Sequence, residues 1–262
     1  MPIKGLTDHS RLPRLGKIKT GEMVVNERGV SYPRALDHFV VPPEVEGIYG
    51  DAPRSLEVVL PGDDEEVFAS TYYRFYTRSW GLTCKGDGEE AHRKVDGKAL
   101  EASGDLSPAS GKTDPNNVVW HDVACPCPLL ESGDCRPVMN FQFMLPNVPG
   151  LGIWQLDTSS VHGIRNILDC VRFIKGITGG RIAGLPLRLS LQAIEVTPKG
   201  QKTKTVNVPR LDVIDMTLPE LRAILRNSAK EVLLALPAPD DERPEEVTPD
   251  EEQRQTAQAA ES

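Results

Sequence analysis

Five cysteines punctuate the 262-residue chain, and four of them, Cys84, Cys125, Cys127 and Cys135, stand in a spacing that suits a metal ion. Zinc takes four soft or borderline ligands in a tetrahedron, and two of them commonly come from one tight turn. The C-P-C-P segment beginning at Cys125 offers such a turn, bent in advance by proline, and the LLESGDC stretch returns a further thiol at Cys135. Four thiolates close the coordination shell, so the expected role is a structural Zn2+ and not a catalytic one with an open position. A packed-thiol reading stands beside it, because cysteine is often buried as a small hydrophobe. The Pro, Gly, Asp and Glu around the cluster give such a hydrophobe little core to fill, which favours zinc. His92 or His121 could replace one cysteine. Cys170 is different: next to Val171 and near Ile167 in a helical pattern, it is expected to be a packed core thiol.

Little else in the chain suggests chemistry. It has no G-x-x-x-x-G-K-[ST] phosphate loop, no G-x-S-x-G elbow and no H-E-x-x-H helix. Asp37 and His38 are adjacent, as are His121 and Asp122, but neighbours on a strand point to opposite faces, so neither pair forms a dyad. No enzymatic activity is expected. The run Tyr72, Tyr73, Arg74, Phe75, Tyr76, Arg78, Trp80 could stack bases while its arginines follow a backbone. A half-buried strand packing its aromatics into a core explains the same residues and is preferred.

Charge is unevenly distributed. Residues 237–262 carry nine acids against Arg243 and Arg254, so the net charge of −8 belongs mostly to an acidic tail, expected to be disordered. Residues 1–34 carry seven bases against three acids and read as a basic extended arm, with Lys4, Arg11, Arg14, Lys17 and Lys19 the candidates for touching phosphate. No run approaches about 18 apolar residues, and the N-terminus lacks a continuous apolar stretch, so the expected location is the cytoplasm. Cysteines in such a setting point to thiols or a metal before disulfides.

The elements that must position the cysteines follow from periodicity. Residues 35–236 are expected to form one α+β core. Short apolar runs at 36–41 and 56–60 suit strands, and 71–83 reads as one long aromatic strand leading directly to Cys84. Residues 85–118 are hydrophilic, without apolar periodicity, and read as a long polar insertion. Met139, Phe141, Phe143 and Leu145 alternate with Asn140, Gln142 and Met144, a turn follows at 146–150, and 151–156 completes a hairpin. Asp157, Thr158 and Ser159 are N-cap candidates for a helix at about 160–177, closed by Gly179 and Gly180. Strands at 185–198 and 203–214 pair, and the T-L-P-E capping box at Thr217 and Glu220 opens a last helix toward Leu236. The second half thus reads ββαββα, an antiparallel sheet with helices on one face and a zinc-binding loop attached.

The opening M-P-I-K-G-L, then L-G-K-I-K-T-G-E, P-R-A-L-D-H-F, C-P-C-P-L-L-E-S-G-D-C-R-P and L-P-N-V-P-G-L-G-I-W-Q-L-D-T occur in that order. This collinear set resembles the recombination directionality factors that partner large serine integrases in actinobacterial phages and prophages, over about residues 1–214. The resemblance implies an accessory protein that binds the integrase and converts it from attP × attB integration to attL × attR excision by protein contact. DNA would then be engaged indirectly, through the integrase complex. No catalytic residue is implied, because the integrase supplies the nucleophile. A phage replication accessory that binds single-stranded DNA through the aromatic strand and basic arm is the alternative.

Overall fold

The computed structural model describes residues 12–27, 29, 31–197, 203–214, 217, 219 and 220. In chain order the elements are β1 (Arg14–Val25), β2 (Ser31–Val40), α1 (Pro43–Tyr49), β3 (Ser55–Val58), α2 (Glu65–Phe68), β4 (Ala69–Thr77), β5 (Gly81–Gly86), β6 (Glu90–Asp96) and α3 (Gly97–Ser103). They continue with β7 (Val118–Ala124), α4 (Pro128–Glu131), β8 (Arg136–Phe143), β9 (Ile153–Thr158), α5 (Val161–Thr178), β10 (Leu187–Val196) and β11 (Lys204–Val213). The mixed α+β class expected from the sequence is present, but the chain divides into two compact units: Thr71–Met139 form one, and the described residues before and after them form the other.

The flanking unit contains the strand order β2-β1-β9-β8 and a separate three-stranded sheet, β11-β10-β3. The expected single antiparallel sheet is therefore two sheets, and the first is mixed, because β1 runs parallel to β9. Residues 14–25, expected as part of an extended arm, are strand β1, placed between β2 and β9. Ile18 and Thr20 of this strand are buried, which gives the segment a packed face despite its basic composition. Strands β10 and β11 pair over their full length, from Leu187 opposite Val213 to Val196 opposite Lys204, as their alternation requires.

Helix α5 forms where the 3.6-residue spacing of Ile164, Ile167, Val171 and Ile174 demands, and all four are buried. Its cap is Ser160, whose hydroxyl accepts from Gly163 N–H at 3.2 Å, one residue beyond the expected candidates. Gly179 ends it in the left-handed conformation at φ 72°. The helix packs on β11, with Gly163 against Pro209. The capping box is present as well: Glu220 Oε2 accepts from both the Thr217 amide and hydroxyl at 2.7 Å. The remainder of that helix, the acidic tail, Lys4 and Arg11 lie outside the described residues.

The hairpin of β8 and β9 is as expected, but its polar face is not solvated. Asn140, Gln142 and Gln155 are fully buried, and Gln142 donates to Gln155 at 3.4 Å.

The second unit holds β8-β4-β5-β6-β7, with β8 contributing residues 136–139 and β4 residues 71–77. The long strand expected at 71–83 is a hairpin. Thr77 Oγ1 accepts from Trp80 N–H at 3.2 Å and meets the Thr83 hydroxyl at 2.8 Å, closing a turn that Gly81 completes at φ 58°. The polar stretch 85–118, read as an insertion without apolar periodicity, supplies β6, α3 and the end of β5, and leads directly into β7. Asp96 caps α3 by accepting from Lys98 and Ala99.

Candidate metal centre

All four cysteines singled out by spacing lie in the second unit. Cys84 sits in the middle of β5, between Phe75 of β4 and Arg93 of β6, and is buried with Ala91 and Val123. Cys125 follows β7 and packs against that group; its amide donates to Glu89 C=O at 2.8 Å. Cys127 is the N-cap of α4, and the peptide between Cys125 and Pro126 is cis. Gly133, at φ 76°, turns the chain so that the amides of Asp134 and Cys135 both donate to Leu129 C=O at 2.9 Å. Cys135 is thereby delivered, buried, to the start of β8.

Arg93 is the residue that spacing did not reveal. It is 7% exposed, and its guanidinium donates to Leu106 C=O and to Cys127 Sγ, both at 3.0 Å. Its Nε is buried with no hydrogen-bond partner. Burial works against its charge, but the Cys84 and Cys127 sulfurs outweigh this and raise its pKa. The available signal was its place in E-A-H-R-K-V-D, where alternation puts Arg93 on the same side as Ala91 and Val95, both buried.

The thiols feel one another. Burial raises Cys127, yet the amides of Leu130 and Leu129 and the Arg93 cation more than compensate, leaving it below the ordinary thiol value. Cys125 is raised by burial and then by the charges of Cys127 and Cys84. Cys135 is pushed up to about 12 by burial, with Cys84 and Cys127 adding to it. The four sulfurs therefore share one neighbourhood. Among the described residues, however, no group of three or more His, Cys, Asp or Glu side chains is arranged to hold a metal ion.

The donor set still fits zinc chemically. A guanidinium with an orphaned buried donor and two amides aimed at Cys127 favour that sulfur in its anionic form, the form a metal takes, while burial and mutual repulsion favour the protonated form of Cys125 and Cys135 until a cation neutralises the group. Cys84, Cys125, Cys127 and Cys135 are the residues that would hold it. Of the two histidines, His92 is an exposed partner of Asp122 on the side of β6 opposite Arg93, whereas His121, cross-strand from Arg93, is on the face of Arg93 and Cys84 and is exposed on β7. Cys170, half-buried on α5, has its thiol pushed up to about 11 by burial and then by Asp212, as a packing thiol would.

The candidate phosphate contacts that fall among the described residues all lie on β1. Lys17 pairs with Asp157 at 2.9 Å, the two side chains being 20% and 7% exposed. Arg14 and Lys19 lie on β1 beside it. Arg74, expected to follow a nucleic-acid backbone if the aromatic strand bound one, is 1% exposed and donates to Tyr76 Oη at 3.5 Å.

Comparison with known proteins supplies what this geometry does not. The family model described as Gp3-like, recombination directionality factor-like, matches residues 15–214. The chain belongs to this family. No curated protein and no solved structure matches it. The recombination directionality factor-like match includes all four clustered cysteines and ends before the acidic tail. It associates the chain with recombination and with a protein partner in that process. No helix among the described residues is long and apolar enough to cross a membrane.

Proposed function

We propose that this protein is a recombination directionality factor of the actinobacterial phage or prophage type, which binds a large serine integrase and switches it from attP × attB integration to attL × attR excision. The observation that carries the reading is the family match over residues 15–214. The protein acts by contact: by binding one arrangement of the integrase more tightly than another, it shifts the population by that difference in affinity. It performs no catalysis of its own, and it meets DNA through the integrase complex. It works in the cytoplasm of the host cell.

In the same proposal Cys84, Cys125, Cys127 and Cys135 hold one structural zinc ion. The ion supplies a cross-link between β5, the loop after β7 and the start of β8, and no reaction chemistry. Arg93 offsets the thiolate charge. Single-strand binding through the aromatic strand is not favoured, because burial of Arg74 and pairing of Lys17 remove cations that reading needs.

Two experiments test this. Purified protein added to the cognate integrase is expected to form a complex and to stimulate attL × attR recombination while suppressing attP × attB. No complex and no stimulation would refute the functional reading. Metal analysis is expected to find about one zinc per chain; near-zero zinc, with Cys84→Ser and Cys127→Ser variants still folded, would remove the metal.

A further inference from the structure

Strand β7 stands at the end of its strand order and, among the described residues, pairs with β6 alone. Two hydrogen bonds fix which of its backbone groups remain. Cys125 N–H donates to Glu89 C=O, continuing the β6–β7 register, so the odd-numbered residues of β7 direct their groups at β6. Ala109 N–H donates to Lys94 C=O at 2.8 Å from the other side of β6, which gives the same parity independently. Val118, Trp120, Asp122 and Ala124 therefore aim their N–H and C=O groups off the edge. With Val119 42% and Trp120 51% exposed, this edge is a template for another strand.

We propose that β7 pairs with β7 of a second copy, antiparallel about a two-fold axis at His121, joining two chains into a dimer. His121 is the midpoint of the seven-residue strand, so this register alone gives every outward-facing residue an outward-facing partner. Val118 meets Ala124 of the second copy, and Trp120 meets Asp122 of the second copy. Charges then alternate along that face. Lys94 Nζ lies over the Trp120 ring, 5.1 Å from its centroid, and the next strand presents the Asp122 carboxylate, itself paired with His92. The two-fold axis repeats this row in reverse. On the other face Val119 meets Val123 of the second copy, extending the apolar row begun by Val95 opposite Val119. One like pair remains, His121 opposite His121.

That like pair supplies the test, which is independent of whether integrase is the partner. Full-length protein is examined by sedimentation velocity across a concentration series, with circular dichroism as the check on folding. Wild type is expected to associate reversibly into dimers. Asp122→Pro removes an outward N–H and no β6 bond, so a folded chain is expected to lose two intermolecular hydrogen bonds per dimer and associate about thirtyfold more weakly. His121→Lys and His121→Glu, each alone, are expected to weaken the dimer by up to about fivefold through like charges across the axis. Mixing the two variants is expected to restore it as a heterodimer, an outcome that misfolding cannot produce. A wild type that stays monomeric at the highest concentration reached overturns the proposal, as does a dimer indifferent to Asp122→Pro or to the charge pair. If the monomer instead binds integrase and Asp122→Pro abolishes that, the edge takes a partner's strand and the dimer is refuted.

Discussion

Asp157 is where a cation read as a phosphate contact can be tested as a structural one. Its side chain is 7% exposed; Oδ2 pairs with Lys17 Nζ at 2.9 Å, and Oδ1 accepts from Gln155 Nε2 at 2.7 Å and from Asn140 Nδ2. Asp157→Ala takes the carboxylate away from a lysine that is itself only 20% exposed and from two buried amides, so the expected loss is about 3–5 kcal/mol. For a protein of this size that lowers Tm by roughly 6–20 °C. Lys17→Met, which leaves the carboxylate with amide donors alone, is expected to cost about 2–3 kcal/mol. The double variant Lys17→Met/Asp157→Leu removes both charges, and its loss should fall at least about 2 kcal/mol below the sum of the single losses. Urea unfolding at unchanged m-value measures all three. The reasoning fails if Asp157→Ala costs less than about 1 kcal/mol, or if the single losses simply add. A Lys17→Met protein of wild-type stability that has lost DNA affinity would return Lys17 to the role of a phosphate contact.

Other outcomes follow from the same kind of reading. A Cβ on Gly163 would stand 2.7 Å from the Pro209 ring, so Gly163→Ala is expected to destabilise by about 1–3 kcal/mol despite the better helix propensity of alanine. Gly176 has nothing within 4 Å of such a Cβ, and Gly176→Ala on the same helix is expected to stabilise by about 0.5–1 kcal/mol, both read from urea midpoints. The Cys170 thiol, raised from 9.0 to about 11, holds its proton more tightly folded than unfolded. Its contribution is therefore intact below about pH 9 and lost as pH rises from 9 to 11, amounting to about 2–3 kcal/mol; Cys170→Ala should flatten that alkaline limb relative to wild type. Chelation of the proposed zinc is expected to speed amide hydrogen exchange in β5, β6 and β7 while α5 and the β10–β11 ladder stay protected, and equal acceleration everywhere would count against a local cross-link.

How far the fold could be read in advance depended on whether a segment's partners were near in sequence. Helix α5, its glycine stop and the β10–β11 pair were legible because their spacing, capping and turn signals are local. Strand β8 was legible as a strand and misread in its environment. The alternation of Asn140 and Gln142 with Met139, Phe141 and Phe143 resembles a face turned to water, yet both faces are buried. The polar row is met by Gln155, Asp157 and Lys17, which come from β9 and β1. Alternation reports that one face is polar; it does not report whether water or another side chain meets it. Strand β1 was lost for a related reason. Its packed face depends on β9, more than a hundred residues away, and Lys17 was counted as a free charge when its counter-ion was equally remote.

The structure within 85–118 was missed for a different reason, and it bears on the cysteines. The buried positions of β6 are Ala91, Arg93 and Val95, so a cation stands in the middle of the face whose apolar alternation would mark a strand. Around Cys84 the buried neighbours are small, Ala91 and Val123, with Phe75 and Cys125 against them, while Leu82 of β5 and Val95 of β6 are buried as well. Small side chains remove little apolar area from water, at about 0.8 kcal/mol per buried CH2, and a metal or a cross-link commonly adds order to a small domain. Arg93 sharpens the point. Burying a guanidinium costs several kcal/mol unless negative charge answers it, and beside the Leu106 carbonyl the groups facing it are the Cys84 and Cys127 sulfurs, which carry charge only as thiolates. In the proposed function, zinc would be the means by which the clustered thiols become thiolates at neutral pH, and the buried Arg93 cation is the observation beside cysteine spacing that such thiolates would explain.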